Sequence, residues 1–281
     1  AAARLRTEMI LNPAHPQQLI ELPDSLDAVN NYFYEQRWTD GLPIIPPTQE
    51  RVEKMLAGMP WRKPDELIAV IPPAMGQATL TKIATNCVMA GCLPAYFPVV
   101  LAAVEAMAQP QFNLLGIQTS TNPVAPFMLI NGPVRKLIDV NCGAGALGPG
   151  RRANATIGRA LRLIMLNIGG SIPGEVDKSM LGMPGKYSFC MGELEEENPW
   201  QPFHVERGFK PEDSTVTLIS AQGTQSFAAS FLQPESILMM LANGMTAYGT
   251  NSYTKGCGTP DRKSTRLNSS HIPLSRMPSS A

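Results

Sequence analysis

Between residues 25 and 241 the apolar positions follow two rhythms, a spacing of three to four residues and short unbroken runs, separated by proline and glycine clusters. The first rhythm marks one face of a helix, and the second marks buried strands. Ser25 to Trp38 places Leu26, Val29, Tyr32 and Phe33 at helical spacing, with Ser25 as the N-cap. A second helix starts at the cap Thr48 and turns Val52, Met55 and Leu56 inward. Between them, the prolines and glycine of Trp38 to Thr48 exclude regular helix and send the chain over the surface. Leu67 to Ile71 reads as a strand ended by Pro72-Pro73, followed by helices over Ala78 to Ala90 and Ala95 to Ala108.

The pattern continues with strands at Phe112 to Gln118 and Phe127 to Ile130, a glycine-rich stretch from Cys142 to Gly150, and a helix from about Asn154 to Ile168. Thr215 to Ser220 is the last clear strand and Pro234 to Leu241 the last clear helix. This alternation predicts an α/β fold, a mixed sheet covered by helices. The 22 uncharged residues from Ile83 to Val104 are long enough to span a bilayer. Asn86, Gly91, Pro94 and Pro98 argue instead for two buried helices broken at Leu93-Pro94. Met75 to Lys82 and Arg152 to Arg159 share Ala-Thr-aliphatic-x-basic, an echo that would divide residues 25–260 into lobes 25–133 and 134–260. Residues 1–24 form an N-terminal arm in this reading.

Composition changes the picture at the C-terminus. Asp261 to Ala281 has no apolar periodicity and resembles the translation of a sequencing adapter, so it is expected to be a non-native tail that packs against nothing, on a C-terminally truncated chain. The 281 residues carry 23 basic and 23 acidic groups; without the tail's four basic residues and Asp261, 19 and 22 remain, a net −3. That balance gives no pull toward nucleic acid or an anionic membrane, which leaves a small molecule, and a second copy in a homo-oligomer, as expected partners. Apolar surface around Ile237, Leu238 and Leu241 is expected to be exposed. The five cysteines, Cys87, Cys92, Cys142, Cys190 and Cys257, are an odd number with no CxxC spacing. They point to buried thiols in a reducing, cytoplasmic setting.

Candidate chemistry gathers in two segments. Gly148-Pro-Gly150-Arg151-Arg152-Ala-Asn154-Ala-Thr156-Ile-Gly-Arg159 joins flexible backbone to a helix start and three guanidinium forks, an anion cradle for carboxylate or phosphate. It lacks Gly-Lys-Ser/Thr and follows no clear strand, so it is neither a Walker A loop nor a dinucleotide fingerprint. A flexible loop with solvated arginines is the plainer alternative. Arg159 and Arg162 lie on a mostly apolar helix, where a structural carboxylate explains them as well as a ligand does. The second segment holds His204, with Glu197 and Glu206 to orient its ring for proton transfer, against the alternative of a packed loop histidine. Asp40, in its Asp-Gly turn, and Asn131, at a strand end, would position substrate. One His among scattered Glu does not make a metal site, and the cofactor is left unknown.

Trp38 to Thr48, Met89-Ala-Gly-Cys92, Gly148 to Arg159 and Asn198-Pro-Trp-Gln-Pro-Phe-His204 resemble a bacterial family related to the UGSC-motif (seleno)proteins. The resemblance covers about residues 30–227 and implies a small-molecule enzyme. The literal Cys/Sec-Gly-Ser-Cys element is replaced by Ala90-Gly91-Cys92. The expected function is acid/base chemistry on a small anionic metabolite. The alternatives are a thiol-based redox protein using Cys87, Cys92 or Cys142, and a non-catalytic ligand-binding or assembly protein. The acid/base reading requires the 148–152 loop, His204 and Asp40 to converge.

Overall fold

The computed structural model describes residues 20–226, 233–245 and 270–273. Ser25 and Thr48 cap the first two helices, α1 (Leu26–Glu35) and α2 (Gln49–Leu56), each hydroxyl accepting a bond from a first-turn N–H. Next, β1 (Leu67–Ile71) turns back antiparallel onto β2 (Gly76–Thr79). The helix expected from Ala78 therefore begins two residues later, as α3 (Leu80–Ala90) capped by Thr79, because Ala78 and Thr79 pair with β1. It stops at Gly91, whose φ of 89° is the left-handed C-cap conformation open to a residue without Cβ.

Pro94 then starts a short 3₁₀ turn that leads into α4 (Phe97–Met107), buried on almost every side. The uncharged stretch is thus two 11-residue helices. Among the described residues no helix is long and apolar enough to cross a membrane. Burying side chains such as Phe97 and Met107 completely stabilises the fold by about 1.5–3 kcal/mol each.

The strand expected over Phe112 to Gln118 is instead a 3₁₀ turn followed by α5 (Leu114–Gln118). Asn113 decides this: it adopts a left-handed φ of 52° and its side chain caps Gly116 N, while Leu114, Ile117 and Gln118 are buried at helical spacing. The chain continues through β3 (Ala125–Asn131), α6 (Val134–Leu137), α7 (Arg152–Asn167), β4 (Cys190–Gly192), α8 (Phe203–Glu206), β5 (Thr215–Ala221), α9 (Pro234–Met245) and β6 (Ser270–Pro273).

The main sheet has the order β4-β3-β5-β6, with β4 parallel to β3 and the other pairs antiparallel. Met128 and Ile130 pair with Leu218 and Val216, and this face is fully buried under the helices. Helix α4 packs along β5 and β6, α7 lies on β4, and α3 packs on α7. The architecture is α/β, a mixed sheet covered by helices, with a separate β1-β2 hairpin. One buried cluster runs from Ile44 to Leu218, and the two helices of the sequence echo, α3 and α7, meet inside it.

Contrary to the expectation that the tail packs against nothing, Ser270–Pro273 pair with Thr215 to Leu218. Its other residues, Cys257 and residues 1–19 of the arm lie outside the described residues. On α9, Ile237, Leu238 and Leu241 are exposed, Leu238 at 67%.

Candidate functional site

The proposed anion cradle is turned in on itself. Asn154, buried at the start of α7, donates to the carbonyls of Asn141, Ala146 and Cys190 and accepts from Asn141 N, so it anchors the glycine-rich loop. Thr156 donates to Arg152 O within its own helix. Gly148, Gly150 and Arg152 are exposed, and Arg151 reaches out to the exposed Asp139 at 2.6 Å.

Arg159 faces the other way. Its Nε and Nη2 hold both oxygens of Asp40 at 2.8 Å, and Nη2 also donates to the carbonyls of Leu42 and Pro43. The Asp40 carboxylate is only 2% exposed, which corrects the expectation that its turn offers it to a cleft. A guanidinium on a mostly buried helix needs a partner, and the 38–48 segment supplies one. The same segment is strapped down by Ile45 N to Met89 O and Asn167 Nδ2 to Trp38 O.

His204 belongs to a second, separate group of polar residues. Arg135 of α6 donates Nη2 to Glu195 Oε2 at 2.6 Å, Nη1 to Glu193 O, and both Nη atoms to Glu196. Asn131 Nδ2 donates to Glu193 Oε2 at 2.5 Å and to Glu195 Oε1 at 2.9 Å. Gly132 N, Phe203 N and Asn198 Nδ2 fill further carboxylate lone pairs. The His204 ring is fully buried, its Nδ1 3.8 Å from Glu195 Oε1, and neither ring nitrogen has a hydrogen-bond partner. Glu197 and Glu206, expected to orient it, are exposed, and the carboxylate at the ring is Glu195. None of its polar contacts reaches residues 148–152 or Asp40.

A third group surrounds an actual cavity. Arg162, on α7 one turn beyond Gly158, donates Nη2 to Ser171 O at 3.1 Å, and its Nη1 lies 3.8 Å from Asp177 Oδ2. Lys186 Nζ donates to the same Oδ2 at 2.7 Å. Asp177 is held by the tight turn from Ile172, and Lys186 ends the 3₁₀ turn Pro184–Lys186. Burial pushes the Arg162 guanidinium below its ordinary value, against the partial support of Asp177.

Arg162, Asp177, Lys186, Gln118 and Ser171 line a partly open space of about 20 Å³ together with Ile117, Val124, Leu161 and Met165. That is room for about one water molecule. Two cations against one carboxylate leave one positive charge in excess. No family model, curated protein or solved structure matches the chain. The reading of the cavity rests on its own geometry.

The thiols are structural in their surroundings. Cys87, Cys92, Cys142 and Cys190 are free; burial pushes the Cys87 and Cys190 thiols up, and Cys92 Sγ donates to Thr156 O. Cys142 is half-buried, with its sulfur 3.7 Å from Arg135 Nη1. Among the described residues no group of three or more His, Cys, Asp or Glu is arranged to hold a metal ion.

The sequence reading missed Asp177, Gln118, Ser171 and Arg135. Only one signal pointed to any of them: Arg162 on a buried helix face demands a carboxylate somewhere, without saying which.

Proposed function

We propose that the protein binds a small carboxylate-bearing metabolite in the Arg162–Asp177–Lys186 cavity, and that any acid/base chemistry on it is carried there rather than at His204. The carrying observation is the excess positive charge around a small, partly open space beside Arg162. One excess charge favours a monoanion, hence a carboxylate over a phosphate. Lys186 and Asp177, 2.7 Å apart, are the groups lining the cavity that could hand a proton to a ligand and take it back. The 148–152 loop is a weaker candidate, since Arg159 spends its fork on Asp40 and Arg151 turns to Asp139. Thiol chemistry is disfavoured by the burial of Cys87 and Cys92.

Thermal unfolding with added 3-methylbutanoate tests this reading. A ligand at a hundredfold excess over its Kd stabilises by about 2.7 kcal/mol, so wild type should melt higher. Arg162→Met should abolish the shift, while Arg159→Met should lower the starting stability and keep the shift. A shift that inorganic phosphate produces and Arg151→Met or Arg152→Met removes would return the site to the glycine-rich loop.

A further inference from the structure

Room for about one water molecule beside two cations is too small for the body of a ligand, yet it is the size of a single ion. The Arg162 side chain is only 8% exposed, and among the described residues its one hydrogen bond runs from Nη2 to Ser171 O at 3.1 Å. Nη1 makes none, since Asp177 Oδ2 lies 3.8 Å away. Nη1 is nevertheless not sealed in the way that the unpartnered Gln118 Oε1 and Arg207 Nε are. Its donors face the space of about 20 Å³ that Arg162 lines.

Lys186 supplies the second cation. One N–H of its Nζ goes to Asp177 Oδ2 at 2.7 Å, and the others have no partner among the described residues. Asp177 is engaged on both oxygens, Oδ1 by Ser179 N and Oδ2 by Lys186. One carboxylate thus answers two cations, and a largely buried positive charge remains without a counterion. A water in the space would give Nη1 an acceptor and leave that charge uncompensated, whereas a monatomic anion of about the same size does both. The apolar walls, Ile117, Val124, Leu161 and Met165, suit a weakly hydrated halide better than fluoride, which holds its water tightly. An anion of several atoms does not fit inside.

Building on the carboxylate site, we propose that the space holds one chloride ion, accepting from Arg162 Nη1 and Lys186 Nζ, in the place where a carboxylate oxygen would enter from the open side. Asp177 Oδ2 borders the same space and keeps the ion's binding weak. With a single excess charge to neutralise, chloride and the carboxylate ligand exclude each other. Chloride is therefore a competitive inhibitor of ligand binding.

Chlorine NMR of the full chain in potassium chloride tests this, because a chloride ion held on a slowly tumbling protein broadens the line of the free ions with which it exchanges. Wild type should broaden the line, Arg162→Met should lose most of that broadening, and Arg151→Met, at an exposed arginine, should keep it. If Arg162→Met does not fold, Lys186→Met takes its place. Calorimetric titration with 3-methylbutanoate, at an ionic strength held constant by potassium fluoride, adds the competition. The apparent Kd should weaken about tenfold once chloride stands at about ten times its own Kd. Broadening that Arg162→Met leaves intact, with carboxylate binding still dependent on Arg162, would overturn the chloride assignment and leave the carboxylate site standing, its space filled by water. Arg162-dependent broadening without any binding of 3-methylbutanoate at low chloride would overturn the carboxylate site and the competition, and leave the halide site. Binding of both without competition would overturn the shared position.

Discussion

The cluster around Arg135 and the cavity around Arg162 each bury a guanidinium among carboxylates, yet they end in opposite states. At Arg135, donors from Asn131, Gly132, Asn198 and Phe203 are spread over Glu193 and Glu195, while the buried Asn131 Oδ1 has no partner. At Arg162, Asp177 sits at 3.8 Å, outside hydrogen-bond range, and the groups line a small cavity. Saturated charge holds elements together, here α6 to the 193–196 segment. Unsaturated charge beside empty space has free energy left for a ligand.

The largest expected effect separates the two. Arg135→Met leaves the largely buried Glu195 without its cation and should cost about 3–5 kcal/mol of stability, read by chemical denaturation. Arg162→Met leaves Asp177 with Lys186 and Ser179 N, so its cost should be about 1–2 kcal/mol while ligand binding disappears. Equal losses from the two substitutions would erase the distinction between a structural and a binding arginine.

How much of this was legible in the sequence follows from what each residue answers to. Ser25 and Thr48 act through bonds three residues away, so those caps were readable from local order. The α/β alternation was readable for the same reason. Asn113, by contrast, turned a strand-like run into a helix through one left-handed residue. β4 was missed because three residues with a glycine carry no periodicity. The site was least legible. Arg159 meets Asp40 across 119 positions, and Arg135 meets Glu195 across 60, distances over which spacing says nothing. A fully buried His204 between exposed Glu197 and Glu206 shows that neighbours in sequence were the wrong guide to the ring's partner.

Gly158 joins the comparison from the side of packing, since it lines the cavity where α7 touches the chain entering β4. A Cβ there would sit 2.3 Å from Ser188 Oγ and 2.9 Å from Phe189 N. Gly158→Ala should therefore push the 188–189 backbone away, cost about 1–3 kcal/mol, and weaken carboxylate binding with it. Unchanged binding in a destabilised variant would show that the cavity does not depend on this contact.

A smaller change is expected at His204. Both ring nitrogens are buried without a hydrogen-bond partner, so the ring acts as packing. His204→Met should alter stability by about 1 kcal/mol or less and leave the carboxylate-induced melting shift intact. Loss of the shift with the fold preserved would restore His204 to the site.

The smallest effect lies at the rim of the Arg135 cluster. Hydrogen bonds from Arg135, then from Lys136, hold the Glu196 carboxyl down at about 2. An ordinary glutamate in the unfolded chain titrates near 4.3. The folded state thus favours the charged form. Its contribution is fully present above about pH 4.5 and is lost as the pH falls toward 2. Glu196 is 44% exposed, so solvent and salt screen the pair, and the gain should stay below about 1 kcal/mol. Glu196→Gln should therefore lower stability slightly at pH 6 and follow a flatter acid limb between pH 4.5 and 2. The two limbs should converge in 0.5 M salt, roughly where the Debye length falls below 5 Å. Acid limbs that already superimpose at low salt would mean that Glu196 contributes nothing, leaving Glu195 alone as the carboxylate that holds Arg135.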